Sequence, residues 1–451
     1  MGRSVHDING LCWACGSTVV PCAASLGPPD SILKYKPLVP RSYLRFAIEN
    51  RRFISFGFLI ALASSFGQTY FIGVFGPSIE SEFGLSHTGW SSIYLYGTLA
   101  SAIVLPWSGK LLDHIPLPRY TVSAVALLAI GAGLISAAHN VWLLALCIFV
   151  LRQGGQGLMS HISVTSMARY YEAGRGRAIA LATLGFAAGE AILPFLALAA
   201  IASLGWRTSF ASVAVALLLV VLPCSLWLLR GHTKRHDLHL SDMEQGARSP
   251  GDAKSSVRSW TRSEVLKDYR FYLLLPALLA PAMIVTALFF WPQSLAEAKG
   301  WSTAWITGSY AIYAAATTVV ALWCGPLIDR VGGKKLVPFM LLPMVLSLLV
   351  VGTLREPWVV WPYFLLLGGS IGISHTAVSA MWAELYGIGS IGAIKSVVTA
   401  LAVLSSAIGP VIVGRCMDLG IGIEKVCLGF AGYAFLATLL LVVALRSHTR
   451  A

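Results

Sequence analysis

The sequence predicts an all-α membrane protein of twelve transmembrane helices arranged as two pseudo-symmetric six-helix halves. Three observations carry this: an apolar composition, twelve spaced apolar runs, and a string of residues written twice. Charged residues make up 12% and hydrophobic residues 56% of the 451, whereas a soluble domain carries roughly 25% charged residues. A helix needs about 20 mostly apolar residues to cross the hydrocarbon core. Twelve such runs begin near Phe53, Trp90, Tyr120, Val141, Ala178, Ser209, Phe271, Ala304, Leu336, Trp358, Ala393 and Val426. They are continuous rather than alternating, which suits helices and not the strands of a barrel.

The repeated string divides the chain in two. "GGQGLMSHISVTSM" starts at Gly154 and "GGSIGISHTAVSAM" at Gly368, so His161 corresponds to His375 and Met167 to Met381. At nearly the same offset "GKLLD" (from Gly109) matches "GPLID" (from Gly325), and Tyr171, Gly174 and Ala178 match Tyr386, Gly389 and Ala393. The fourth and tenth helices are therefore the same element of two copies. The expected organisation is a tail over 1–52, a first half over 53–229, a linker over 230–270, a second half over 271–445 and a tail over 446–451.

The first tail holds Cys12, Cys15 and Cys22. These sketch a metal site without a fourth ligand at zinc spacing, and the segment reads as disordered. It carries no cleavable signal pattern. The other five cysteines are scattered in or beside apolar helices, so no disulfide framework is implied. The linker is polar and basic. The net charge of +13 would suggest nucleic acid in a soluble protein, but 27 of the 33 Lys and Arg fall in the tails and alternate loops on one side. The positive-inside rule then places both termini in the cytoplasm, and a bacterial inner membrane is the expected location. Trp142, Trp206, Trp291, Trp301 and Trp358 stand at helix ends, where tryptophan anchors a span at the interface.

Two six-helix halves joined by a long cytoplasmic linker form a transporter architecture, and the loop residues point to one family. "GPLIDRVGGKK" (Gly325 to Lys335) closely resembles the loop motif of the major facilitator superfamily. The first copy, "GKLLDHIPLPR", keeps Gly109, Asp113 and Arg119 but has Pro116 and Pro118 where the family has a glycine-centred turn. The resemblance implies gating roles for Gly109, Asp113, Arg119, Gly325, Asp329 and Arg330. It further implies that Asp113 faces the start of the eleventh helix near Lys395, and Asp329 the start of the fifth near Arg175 and Arg177. Residues 73–94 and 409–418 are similar to the monocarboxylate and oxalate/formate branch. The eighth helix nevertheless lacks the basic residue of the oxalate carriers, and the eleventh has only Lys395 and Arg415, near its ends. A dicarboxylate held by two cations is disfavoured.

An ionisable side chain inside a span costs at least ~2.5 kcal/mol on insertion scales and by default marks a pathway or a pair. Four qualify: Arg152, Glu190, His161 and His375. The second copy has Leu366 in place of Arg152 and Ser405 or Ser406 in place of Glu190, so both charges are missing from it together. Two readings stand: a structural ion pair, or a binding site in which Arg152 holds an anion and Glu190 carries a proton. Gln156 falls on the face of Arg152 at helical spacing, and His161, nine residues on, points about 180° away. The histidines either relay protons or hold helices together. Tyr70, Tyr94, Tyr96, Tyr310 and Tyr313 could line a cavity. Gly154, Gly155, Gly157, Gly185 and Gly189 suit close helix approach.

The expected function is proton-coupled symport of a small organic anion, a monocarboxylate, by alternating access in a monomer within the lipid bilayer. Substrate would be bound by Arg152, Gln156, Tyr70, Tyr94, Tyr310 and His375, with protons handled by Glu190, His161 and His375. The rivals are an exporter of a toxic compound or antibiotic and a sensor that has lost transport. No catalytic triad, carboxylate pair or metal-ligand set lies on adjacent turns, and no phosphate-cradling loop is present. No enzyme activity, cofactor, metal or nucleic-acid partner is expected.

Overall fold

The computed structural model describes residues 41–171, 174–232, 262–386 and 391–449. The cysteine-bearing tail and most of the linker lie outside the described residues. The described residues from Arg45 onward form one compact unit, and all regular structure among the described residues is helical.

Twelve helices account for the twelve apolar runs. Helix α1 is bent by 46° between its arms Arg51–Gly67 and Thr69–Phe83. It is followed by α2 (His87–His114), α3 (Leu117–Ser136), α4 (Val141–Tyr170), α5 (Arg175–Leu204) and α6 (Trp206–Leu228). The second half comprises α7 (Tyr269–Phe290), α8 (Thr303–Val331), α9 (Gly333–Thr353), α10 (Pro357–Tyr386), α11 (Ile391–Asp418) and α12 (Ile423–Thr449). Each begins less than one helical turn from its expected start. Ten are long and apolar enough to cross a membrane and the bent α1 makes an eleventh. Helix α2 has the length, 28 residues, but serines, threonines and glycines dilute its hydropathy.

The ends follow local chemistry. The Ser86, Asn140 and Ser302 side chains accept backbone N–H groups of the first turns of α2, α4 and α8, satisfying donors that a helix leaves unpaired. The two loop motifs start the next helix by different means. Gly332, at φ 90°, turns the chain into α9, whereas Pro116 and Pro118 bracket the first residue of α3, where proline needs no N–H partner.

Lipid tails are as apolar as leucine, so helices in a membrane are held by close packing. A Cβ at Gly185 would overlap the Phe58 carbonyl of α1, and one at Gly189 would overlap Ser65 Oγ. Gly155 meets Gly67 of α1, and Gly154 lies against Leu128 of α3. In the second half Gly368 and Gly372 bring α10 onto the Tyr313 and Thr317 carbonyls of α8. Gly157 is less confined, with a Leu105 methyl 3.3 Å from the position of its Cβ.

Among the described residues, the hydrogen bonds that cross between the halves all lie at the end remote from the two loop motifs. Asp418 of α11 accepts the backbone N–H groups of His87 (3.2 Å) and Thr88 (2.8 Å) at the start of α2. Gln293 Nε2 donates to the Val74 carbonyl at 2.6 Å. Phe290 stacks on Trp90 and packs at a tilt against Tyr94 across the same seam. The tryptophans divide: Trp142 and Trp358 are exposed, but Trp206, Trp291 and Trp301 are buried. Those three are not lipid anchors, because their indole N–H groups donate to Glu82, the Pro410 carbonyl and the Arg355 carbonyl.

Candidate functional site

The site is built around the bend of α1. Ser65–Gly67 tightens into a 3-10 turn and Gln68 is extended, with φ −89° and ψ 157°, so the helical ladder is interrupted and carbonyls are released. Arg152, only 1% exposed, answers that break from α4. Its Nη1 donates to the Gly67 carbonyl at 3.0 Å and lies 3.5 Å from Thr69 Oγ1. Its Nε donates to Thr98 Oγ1 of α2 at 3.1 Å. The guanidinium lies 5.1 Å from the centre of the Tyr94 ring, whose hydroxyl meets Thr69 Oγ1 at 2.5 Å. Nη2 is buried with no hydrogen-bond partner among the described residues.

Glu190 stands elsewhere. No ion pair joins it to Arg152 among the described residues; the carboxylate is within electrostatic reach of Tyr70, Tyr310 and Tyr313. Tyr70 donates to Ser65 Oγ at 2.7 Å, and Ser65 packs on Gly189. The Tyr310 hydroxyl is buried without a hydrogen-bond partner among the described residues. The bend of α1 thus separates the two charges, offering Gly67 and Thr69 to Arg152 and Ser65 and Tyr70 to the side of Glu190. Of the remaining expected cavity tyrosines, Tyr96 is 66% exposed and stays out of both clusters.

Helix α4 is not regular. Immediately after Arg152, residues Gln153–Met159 form a π-helical turn, which inserts an extra residue and marks functional sites in many helices. Nine residues from Arg152 to His161 then advance the chain like about eight, so the angle is roughly 80° and not 180°. Both side chains accordingly look toward α2. A Cβ on Gly109 would lie 3.7 Å from His161 Nε2, and His161 Nδ1 is 3.3 Å from Thr165 Oγ1. His161 therefore sits beside the first loop motif. Gln156 is half-buried and makes no hydrogen bond among the described residues, while the neighbouring Gln153 accepts from Ser101 and donates to Ser108 of α2. His375 is exposed on α10, which runs without a π-turn.

The expected gate contacts are not made in this conformation. Asp113 pairs with Arg169 of its own half, and Arg169 also donates to the Leu112 carbonyl at 3.1 Å. Asp329 and Arg330 are exposed without an ion pair among the described residues. Arg177, an expected neighbour of Asp329, instead lies 4.6 Å from the Phe46 ring, and Arg119 is exposed. The halves are hydrogen-bonded to each other at the opposite end instead. The position of Arg169 in the second half is taken by Glu384, which accepts the N–H groups of Gly333 (2.6 Å) and Lys334 (2.9 Å). The same joint is closed with opposite charge.

The residues missed from sequence are Gly67, Thr69, Thr98, Gln153 and Asp418. Polar Gln68 and Thr69 in mid-span, and three glycines just after a buried arginine, were the available signals for the bend and the π-turn.

Comparison with known proteins adds the family. Residues 57–410 match the sequence pattern of the Major Facilitator Superfamily. Two similar solved structures are of a bacterial homolog to the human lysosomal transporter Spinster. The inward-facing, unoccupied form has a TM-score of 0.64 at 13% identity, over 89% of this chain and 98% of that one. The inward-facing, occupied form has a TM-score of 0.61 at 13% identity, over 90% and 98%. No curated protein matches the chain.

Proposed function

Because the chain belongs to the major facilitator superfamily and is a membrane transporter, we propose that it carries a small organic anion, a monocarboxylate, in symport with a proton by alternating access. The observation that carries this reading is Arg152, a buried cation with no carboxylate partner among the described residues and one unpaired donor nitrogen. A buried charge is expensive unless it is paired and hydrogen-bonded. The carbonyl, two hydroxyls and the Tyr94 ring compensate the guanidinium in part, and a substrate carboxylate completes the set through Nη2 when the bend of α1 yields. Tyr94, Gln156 and Tyr310 flank the path, with His375 on the opposite half. Glu190, within electrostatic reach of Tyr70, Tyr310 and Tyr313, takes the proton. The motif-bearing end is the cytoplasmic one, where Asp113 and Asp329 close the gate in the alternate state.

One observation favours a second reading within the class. A carboxylate among Tyr70, Tyr310 and Tyr313 also suits a lipophilic cation, as in an exporter of a toxic compound. A thermal-shift screen of the purified carrier against monocarboxylates and organic cations separates the two, because a ligand that binds only the folded state raises its apparent stability. The best acid is then tested for uptake with Arg152→Lys. Lysine keeps the charge but loses the planar fork that matches a carboxylate, so the variant should stay folded with saturation shifted at least about tenfold. Stabilisation by cations alone, or unchanged saturation, would overturn the anion reading.

A further inference from the structure

The outer wall of the second half holds a groove of about 540 Å³ between α9 and α12. Its rim is basic, with Lys334 and Lys335 in the first turn of α9 and Arg446 in the last turns of α12. Its floor is apolar: Pro338, Phe339 and Leu342 from one helix face Val442 and Leu445 from the other. Phe339 and Leu342 are 58% and 38% exposed. At about 1.5 Å per residue, the eight residues from Lys334 to Leu342 carry the groove roughly 12 Å below its charged rim. Thr438, eight residues before Arg446, reaches the same depth on α12.

We propose that this groove binds an anionic phospholipid, with the phosphate held by Lys334, Lys335 and Arg446 and the acyl chains laid along Phe339, Leu342 and Val442. Charge complementarity selects the occupant. None of the three rim cations has an ion-pair partner among the described residues. The neighbouring carboxylate of Glu384 is engaged by the backbone N–H groups of Gly333 and Lys334, and Asp329 forms no ion pair with the rim among the described residues. A zwitterionic lipid would fill the apolar floor equally well but would leave the three positive charges uncompensated, and basic pockets between spans select anionic headgroups. The site lies at the start of α9, directly after Asp329 and Arg330, so its occupant touches the loop that the alternate state must move.

Native mass spectrometry of the full chain tests the proposal, in detergent containing equal amounts of dioleoylphosphatidylglycerol and dioleoylphosphatidylcholine. Wild type should retain phosphatidylglycerol preferentially. The triple change Lys334→Gln, Lys335→Gln, Arg446→Gln should weaken that preference by about fivefold per charge removed, while Lys110→Gln, an exposed cation at the same end of the bundle, should not. If the triple variant does not fold, Arg446→Gln alone should still lose about fivefold. Equal retention of the two lipids by wild type, an undiminished preference in the groove variants, or the same loss in Lys110→Gln would each overturn the proposal.

Discussion

At the scale of single residues, the two intramembrane charges do not form the pair that their joint absence from the second half suggests. Arg152 is held by Gly67, Thr69, Thr98 and the Tyr94 ring, and Glu190 is within electrostatic reach of tyrosines from both halves. A test follows from this separation. Arg152→Leu should abolish saturable uptake and lower expression, because it strands the released Gly67 carbonyl. Adding Glu190→Ser should restore neither. Near-normal transport by the double variant would mean that the arginine serves only to neutralise the carboxylate. Glu190→Gln alone removes the proposed proton carrier but keeps its size and hydrogen bonding. Net uptake by this variant should no longer respond to an imposed pH gradient, while exchange of labelled for unlabelled substrate persists. A gradient response of wild-type size would assign the proton to another group.

At the scale of helices, α1 does the positioning. It is broken where it meets Arg152 and Gly189 of α5, and regular where Gly185 of α5 presses against Phe58. Gly189→Val places methyl groups where Ser65 Oγ already stands, and Ser65 is the acceptor for Tyr70. Overpacking of this kind costs about 1–3 kcal/mol. The variant should therefore melt at a lower temperature and also lose the proposed proton coupling, since Tyr70 would lose its place. Gly308→Ala, where the nearest heavy atom is 3.8 Å from the added carbon, should change neither. The glycine spacing of α5 was legible in the sequence. The π-turn in α4 was not, because a periodicity argument assumes one pitch throughout. Gly154 and Gly155 sit in that turn, whereas Gly368 and Gly369, nearly the same string, sit in a regular helix.

At the scale of the molecule, the hydrogen bonds between halves gather at one end among the described residues. Asp418 there acts as a cap on α2 supplied by the other half. Asp418→Ala removes both acceptors and should shift the population toward the state open at that end. Pulsed electron-spin distances between labels at Ser81 and Glu297, exposed positions on the two halves at this end, should then gain a longer component. A distribution identical to wild type would show that the apolar seam of Trp90, Tyr94 and Phe290 suffices to hold it. Loss of only a net 0.5–1.5 kcal/mol per hydrogen bond, or about twice that for a charged acceptor, is enough to change such a balance severalfold.

The twelve helices, their starts, the internal repeat and the family were legible in the chain because each rests on local or periodic information: apolar length, capping residues, recurring strings. The candidate charges were legible too, since ionisable residues in apolar spans stand out against their surroundings. Their partners were not. Which groups Arg152 meets depends on a break in another helix, and where His161 points depends on one inserted residue in a turn. Asp113 was expected near Lys395 at the start of the eleventh helix and is found on Arg169 of its own half, because a carboxylate at a turn takes whichever cation folding brings to it. Folding decides those contacts by bringing together residues far apart in the chain, as with Asp418 and Thr88, and no spacing along the chain encodes such a distance.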